Sequence, residues 1–145
     1  MVSKGPTGLD KESIHFFEDL EIYRLAREFS RNVNELIKKL PREKEFNLKK
    51  QMRSAKLSVT NNIAEGFGRF HYQEDIQFCR QSRGSICELI HDFDDFNECY
   101  VNGYIDQNYR DQLKDEAYKL INVLNSYIAS IKRQKAKMSN DSINK

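Results

Sequence analysis

Four stretches of the chain repeat apolar residues at three- and four-residue steps, the spacing that lines one face of an α-helix. In the first, Phe17 to Leu40, the stripe is Ile22, Ala26, Phe29, Val33, Leu36, Ile37 and Leu40. Arg24, Arg27, Arg31 and Lys38 fall opposite, interleaved with Glu21, Glu28 and Glu35, and Pro41 stops the helix. The second, about Glu45 to Phe67, carries Leu48, Met52, Ala55, Val59 and Ile63. The third, about Tyr72 to Val101, places Phe78, Ser82, Ser85, Leu89, Phe93, Phe96 and Tyr100 on its stripe and ends at Asn102-Gly103. The fourth starts at Asp106, a good N-cap, and runs to about Lys135 through Leu113, Ala117, Leu120, Leu124, Ile128 and Ile131. Its C-terminal cations, Lys132, Arg133, Lys135 and Lys137, complement the helix dipole. No stretch alternates with period two for long enough to propose a strand. The pattern predicts an all-α, up-down-up-down antiparallel four-helix bundle.

Composition agrees with one such bundle. The 145 residues fit a single core, and two prolines and six glycines are too few for a turn-rich sandwich or barrel. Charged residues make up 32% of the chain, against about 25% in an average globular protein, which suits helices with solvated outer faces. Residues 1–15 and 136–145 are small and polar and read as frayed or disordered ends around a bundle spanning 16–135. Three cysteines without C-x-x-C spacing and no apolar leader point to a reducing cytoplasm. No apolar run is long enough for a membrane span.

Net charge is only +2, but its distribution is uneven. From Phe46 to Arg69 the bases Lys49, Lys50, Arg53, Lys56 and Arg69 face the single acid Glu65. From His71 to Arg110 there are eight acids and three bases. Two readings stand: the basic segment pairs with the acidic one, within or between subunits, or it forms a surface for a polyanion.

The second segment ends in Asn61-Asn62-Ile63-Ala64-Glu65-Gly66-Phe67-Gly68-Arg69. A phosphate-binding loop would need a Lys-Ser/Thr pair and glycines that open a helix; here they follow one. Glu65 has no catalytic partner visible in the sequence. A helix C-terminus fits, with Gly66 and Gly68 freeing the backbone and Arg69 reaching the last carbonyls. On a helical wheel Lys49, Arg53, Lys56 and Thr60 form a basic edge off the core stripe. On the opposite flank, Gln51, Ser54, Ser58, Asn62 and Glu65 are mostly small and uncharged, as in a close helix contact. Asn62 and Glu65 are then expected to be buried and hydrogen-bonded, with Ser82, Gly84 and Ser85 facing them.

Metal chemistry finds little support. His15, His71 and His91 share no ligand spacing with one another or with the cysteines. Asp92, Asp94 and Asp95 cannot all share a helix face, and the Glu-x-x-His pair of di-iron bundles occurs once, at Glu88 and His91, where two are needed. Glu74 and Asp75 sit in a first helical turn, where acids favour the dipole. No catalytic residue, metal or cofactor is expected.

These residues together resemble a known bacterial family of four-helix bundles, the 23S rRNA intervening-sequence proteins. The resemblance rests on Phe17-Glu18-Asp19-Leu20, Gln51 to Ser58 leading into Asn62 through Arg69, Gly84-Ser85 with Glu88-Leu89, and Gly103-Tyr104-Ile105. It covers about Phe16 to Arg133. Ser58-Val59 departs from the family's serine-isoleucine pair, and Ser82 stands where an alanine is usual. The resemblance implies a homo-oligomeric ring, typically a pentamer, with Asn62, Glu65, Gly66, Arg69, Gly84, Ser85 and Glu88 as signature residues and no catalytic assignment. A related branch comprises accessory variability proteins of diversity-generating retroelements, which bind a reverse transcriptase and nucleic acid. The expected function is therefore a non-enzymatic oligomer binding RNA or DNA through Lys49, Lys50, Arg53, Lys56 and Arg69, or else a protein scaffold such as a reverse transcriptase partner.

Overall fold

A computed structural model describes residues 16–41, 46–96 and 100–143, with the outermost helical side chains described as far as Asp141. A short 3-10 turn, Phe17–Asp19, leads into four helices: α1 Glu21–Lys39, α2 Phe46–Gly68, α3 Tyr72–Asp94 and α4 Gln107–Ile143. There is no strand among the described residues. The N-terminal segment read as frayed, 1–15, lies outside them.

Each helix buries the face its sequence marks as apolar. Ile22, Ala26, Phe29, Val33, Leu36 and Ile37 of α1 meet Met52, Ala55, Val59 and Ile63 of α2 in one core. Leu113, Ala117, Leu120, Leu124, Ile128 and Ile131 close it from α4. Phe29 and Phe93 cross edge to face at 6.4 Å, joining α1 to α3 in the middle of the bundle.

Cross-helix hydrogen bonds fix the directions. Val59 bonds Ser82 while Ser58 bonds Ser85, so numbers rise along α2 as they fall along α3. The same holds between α3 and α4, where Lys135 bonds Gln73, Asn125 bonds Arg83 and Lys114 bonds Asp94. Asn32 of α1 donates to Glu116 of α4 at 2.8 Å. These contacts fit the up-down-up-down order.

Three features depart from the sequence reading. The buried line of α3 is Ile76, Cys79, Ser82, Ile86, Leu89 and Phe93, so Phe78 and Ser85 stand beside the core stripe instead of on it. α3 stops at Asp94, not near Val101. Asp92, Asp94 and Asp95 crowd its C-terminal end, where the dipole disfavours acids. The Tyr100 hydroxyl donates to the Phe93 carbonyl, satisfying a group the ended helix leaves open. Phe96, Tyr100 and Ile105 then plug this end of the core, and Gly103 (φ 78°) makes the turn into α4. The Asp106 carboxylate caps α4 through the Asn108 N–H at 3.0 Å. Finally, α4 continues to Ile143, so much of the segment read as a polar tail is helical.

The opposite end of the core carries a polar junction. Asp75, buried in α3, accepts a hydrogen bond from the Tyr127 hydroxyl of α4 at 3.1 Å and from the Cys79 thiol at 3.6 Å. Burial, then the neighbouring Asp75 charge, holds the Tyr127 phenol protonated far above its ordinary range. Tyr127→Phe removes one donor from a buried carboxylate and should cost about 1–3 kcal/mol. Urea unfolding of the variant checks this; unchanged stability would show that Asp75 needs no donor from α4.

Candidate functional site

The chemistry singled out in the sequence lies along α2 and its seam with α3. Small side chains let these two helices approach. Ser82 Oγ donates to the Val59 carbonyl at 2.8 Å, and the Ser58 and Ser85 hydroxyls meet at 2.8 Å. Half-buried Asn62 donates through Nδ2 to the Ser58 carbonyl and hydroxyl at 2.8 and 2.9 Å. The seam is thus a chain of hydroxyl and amide groups that satisfy one another, as expected for the small polar flank.

Gly66 marks the tightest approach. A Cβ there would lie 2.8 Å from Asp75 Oδ1, 2.9 Å from Phe78 Cβ and 3.2 Å from the Asp75 carbonyl oxygen. Glycine is needed here for space, not for turning. Gly84, grouped with it in the sequence, would place its Cβ in open solvent. The residue that turns the chain out of α2 is Phe70, with φ 54° and its side chain exposed. α2 thus ends at Gly68, as its sequence suggests, but neither glycine before Arg69 takes a left-handed backbone.

Glu65 also differs from expectation. Its side chain is 56% exposed and pairs with Arg69 at 3.6 Å. On the wheel it sits at the far rim of the polar flank, beyond the reach of α3's backbone. Arg69 does not cap the last carbonyls. Its guanidinium lies between Glu65 and Glu74 (4.0 Å) and over the Phe78 ring, 5.4 Å from the centroid.

The basic edge divides. Lys49 is only 7% exposed, and its ammonium donates to the Leu40 carbonyl at 3.0 Å. It caps the end of α1 with a long side chain that lies across the core margin, and so is not on an outer edge. Lys50 and Arg53 are exposed and Lys56 is half-buried, and among the described residues none of them makes an ion pair or hydrogen bond. Several acids of α3 are engaged elsewhere: Glu74 with Arg69 and His71, Asp75 with Tyr127, and Asp94 with Lys114 and Arg110, while Glu88 is exposed. Pairing of the basic and acidic segments inside one subunit is therefore seen at Arg69 with Glu74, and among the described residues not at Lys50, Arg53 or Lys56.

Beside these cations α2 exposes Phe46 and Leu57. An open groove of about 1040 Å³ follows, bounded by Phe46, Lys50 and Ser54 of α2 and by Ser85 and Glu88 of α3. Sequence reasoning missed the buried Asp75. The signal was present: Asp75 keeps step with Cys79, Ser82 and Ile86 once the α3 stripe is placed one residue differently.

A model of the 23S rRNA-intervening sequence protein family matches residues 18–126, from the 3-10 turn to the middle of α4. The chain belongs to that family. Among curated proteins none matches it. The family match spans every seam residue described above, including Asn62, Glu65, Gly66, Gly84, Ser85 and Glu88. No helix among the described residues is long and apolar enough to cross a membrane.

The two glycines separate space from conformation. Gly66→Ala should destabilise the fold by about 1–3 kcal/mol, because Asp75 or the whole of α3 must move. Gly84→Ala should be neutral or stabilising by up to about 1 kcal/mol, as alanine favours an exposed helix interior. Glu65→Ala, at an exposed ion pair, should change stability by no more than about 1 kcal/mol. Thermal melts of the three variants check the ordering; a Gly84→Ala loss as large as that of Gly66→Ala would contradict it.

Proposed function

We propose that the protein is a non-enzymatic oligomeric module that binds RNA or another nucleic acid through α2. The observation that carries this reading is the set Lys50, Arg53 and Lys56, without ion-pair or hydrogen-bond partners among the described residues, on a helix that also exposes Phe46 and Leu57. Cations free of local carboxylates are available to phosphates. Apolar side chains exposed next to them favour burial against another copy of the chain, as does the adjoining groove. A ring, of five subunits if it follows the resemblance drawn from the sequence, repeats the same few contacts, so weak sites add through multivalency. The family's printed description, which refers to the 23S rRNA, supports an RNA partner. Lys49 has no place in this surface, and Arg69, held between two glutamates, has a reduced one.

A protein scaffold is the second reading, with the cations of α2 meeting acids of a neighbouring subunit or of a partner such as a reverse transcriptase. Exposed Glu88, across the groove from Lys50, is the observation that favours it. A cytoplasmic setting suits both.

The two readings diverge in one double variant. Lys50→Glu with Arg53→Glu alters exposed side chains without touching the core. Nucleic-acid binding predicts that fluorescence anisotropy with a structured RNA shows affinity falling roughly ten- to hundredfold between 50 and 200 mM salt, and that the double variant loses binding. Light scattering should show an oligomer both before and after the change. Absence of RNA binding at low salt, with loss of the oligomer in the variant, would replace this reading by the scaffold. A monomeric parent protein at micromolar concentration would remove the oligomer from either.

A further inference from the structure

The last turn of α3 gathers three groups that the sequence reading kept apart. His91 Nδ1 lies 3.5 Å from Asp95 Oδ2 and 3.9 Å from Asp92 Oδ1. One donor atom from each of the three falls within 4.8 Å of the others. Asp94, the acid expected to compete with them, points the other way, to Lys114 and Arg110. A shared face for all three aspartates was the wrong test: His91 and Asp95 are one turn apart, and Asp92 flanks both.

Asp92 is the unusual member. It is 2% exposed, and its Oδ2 is buried without a hydrogen-bond partner among the described residues. No lysine or arginine among the described residues pairs with Asp92 or Asp95; His91 is the basic group that faces them. A buried carboxylate in this position must be protonated, paired or bound to a cation. The Asp95 N–H bonds the Asp92 carbonyl at 3.0 Å, which fixes the two residues relative to each other.

We propose that His91, Asp92 and Asp95 form a binding site for a divalent transition-metal ion of the zinc type. Ligand atoms about 2.1 Å from a shared zinc ion stand roughly 3–4 Å from each other, and the two measured His91 separations fall in that window. One imidazole with two carboxylates selects zinc-like ions over calcium or magnesium, which prefer all-oxygen sets. The negative end of the α3 dipole adds to the attraction. His91 and Asp95 are largely exposed, so the ion has an open path and keeps water on its outer side. Asp92 anchors it from the core side, and the ion supplies the positive charge that the buried carboxylate lacks.

The test uses the full chain without a histidine tag, reduced and stripped with chelator. Zinc chloride is titrated by calorimetry and by thermal shift. The expected result is one ion per chain and a raised melting temperature. His91→Ala and Asp95→Asn should each weaken binding by at least the roughly 10- to 100-fold typical of losing even an outer partner. Both positions are exposed, so metal-free melts of these variants should match the parent. Cys87→Ala and His71→Ala, changed at the other exposed cysteine and histidine among the described residues, should leave binding intact. Cobalt substituted for zinc should show a nitrogen–oxygen spectrum without thiolate charge transfer. No binding by the parent chain, binding that survives His91→Ala and Asp95→Asn, or binding lost in Cys87→Ala alone would each overturn the site.

Discussion

The close approach of α2 to α3 governs this bundle. Where Gly66 meets Asp75 there is no room for a single methyl group. That contact sets the helix separation, and with it the register in which Ser58 finds Ser85 and Ser82 finds the Val59 carbonyl. Interiors packed this tightly pass a local displacement on to their neighbours. Asp75 also binds Tyr127 of α4, so three helices share one geometric point. The apolar core would suit several arrangements of amphipathic helices; the polar seam admits far fewer.

Helix existence and polarity were legible because the apolar stripes are long and regular. Those of α1, α2 and α4 match the buried faces residue for residue over most of their length. α3 was harder, since its stripe contains Asp75, Cys79 and Ser82, which hydrophobicity alone does not mark as interior. The small polar flank of α2 was read correctly as a contact surface at Ser58 and Asn62, while Glu65 on that flank and Lys49 on the basic edge misled. Glu65 sits one step too far round the helix to be covered, while Lys49 is long enough to bury its stem and still bond a backbone oxygen. A wheel assigns directions to Cα–Cβ bonds and says nothing of how far a side chain can travel. Gly66 and Gly68 looked alike because a sequence does not distinguish a glycine chosen for space from one at a fraying end.

Removing Lys49 and most of Arg69 from the basic surface changes its character. What remains is a compact group on the outer part of α2, next to apolar side chains, in place of a strip running the length of the helix. The acidic end of α3 lies at the far end of its helix from Arg69 and Glu74, so electrostatic character changes along the bundle axis as well as around it.

α4 is longer than its partners need. Lys135 is already level with Gln73 at the start of α3, and the helix runs on to Ile143, about 12 Å further along its axis. Every described side chain from Lys135 to Asp141 is exposed, so no burial holds these turns and helix–coil equilibrium alone maintains them. Their amide hydrogens should exchange with solvent orders of magnitude faster than those near Leu124. Lys135 and Lys137 lie along these turns and Asp141 near their end, so the extension carries a small excess of positive charge. Charge held on such an extension bears on rates of encounter with charged molecules more than on the stability of the bundle.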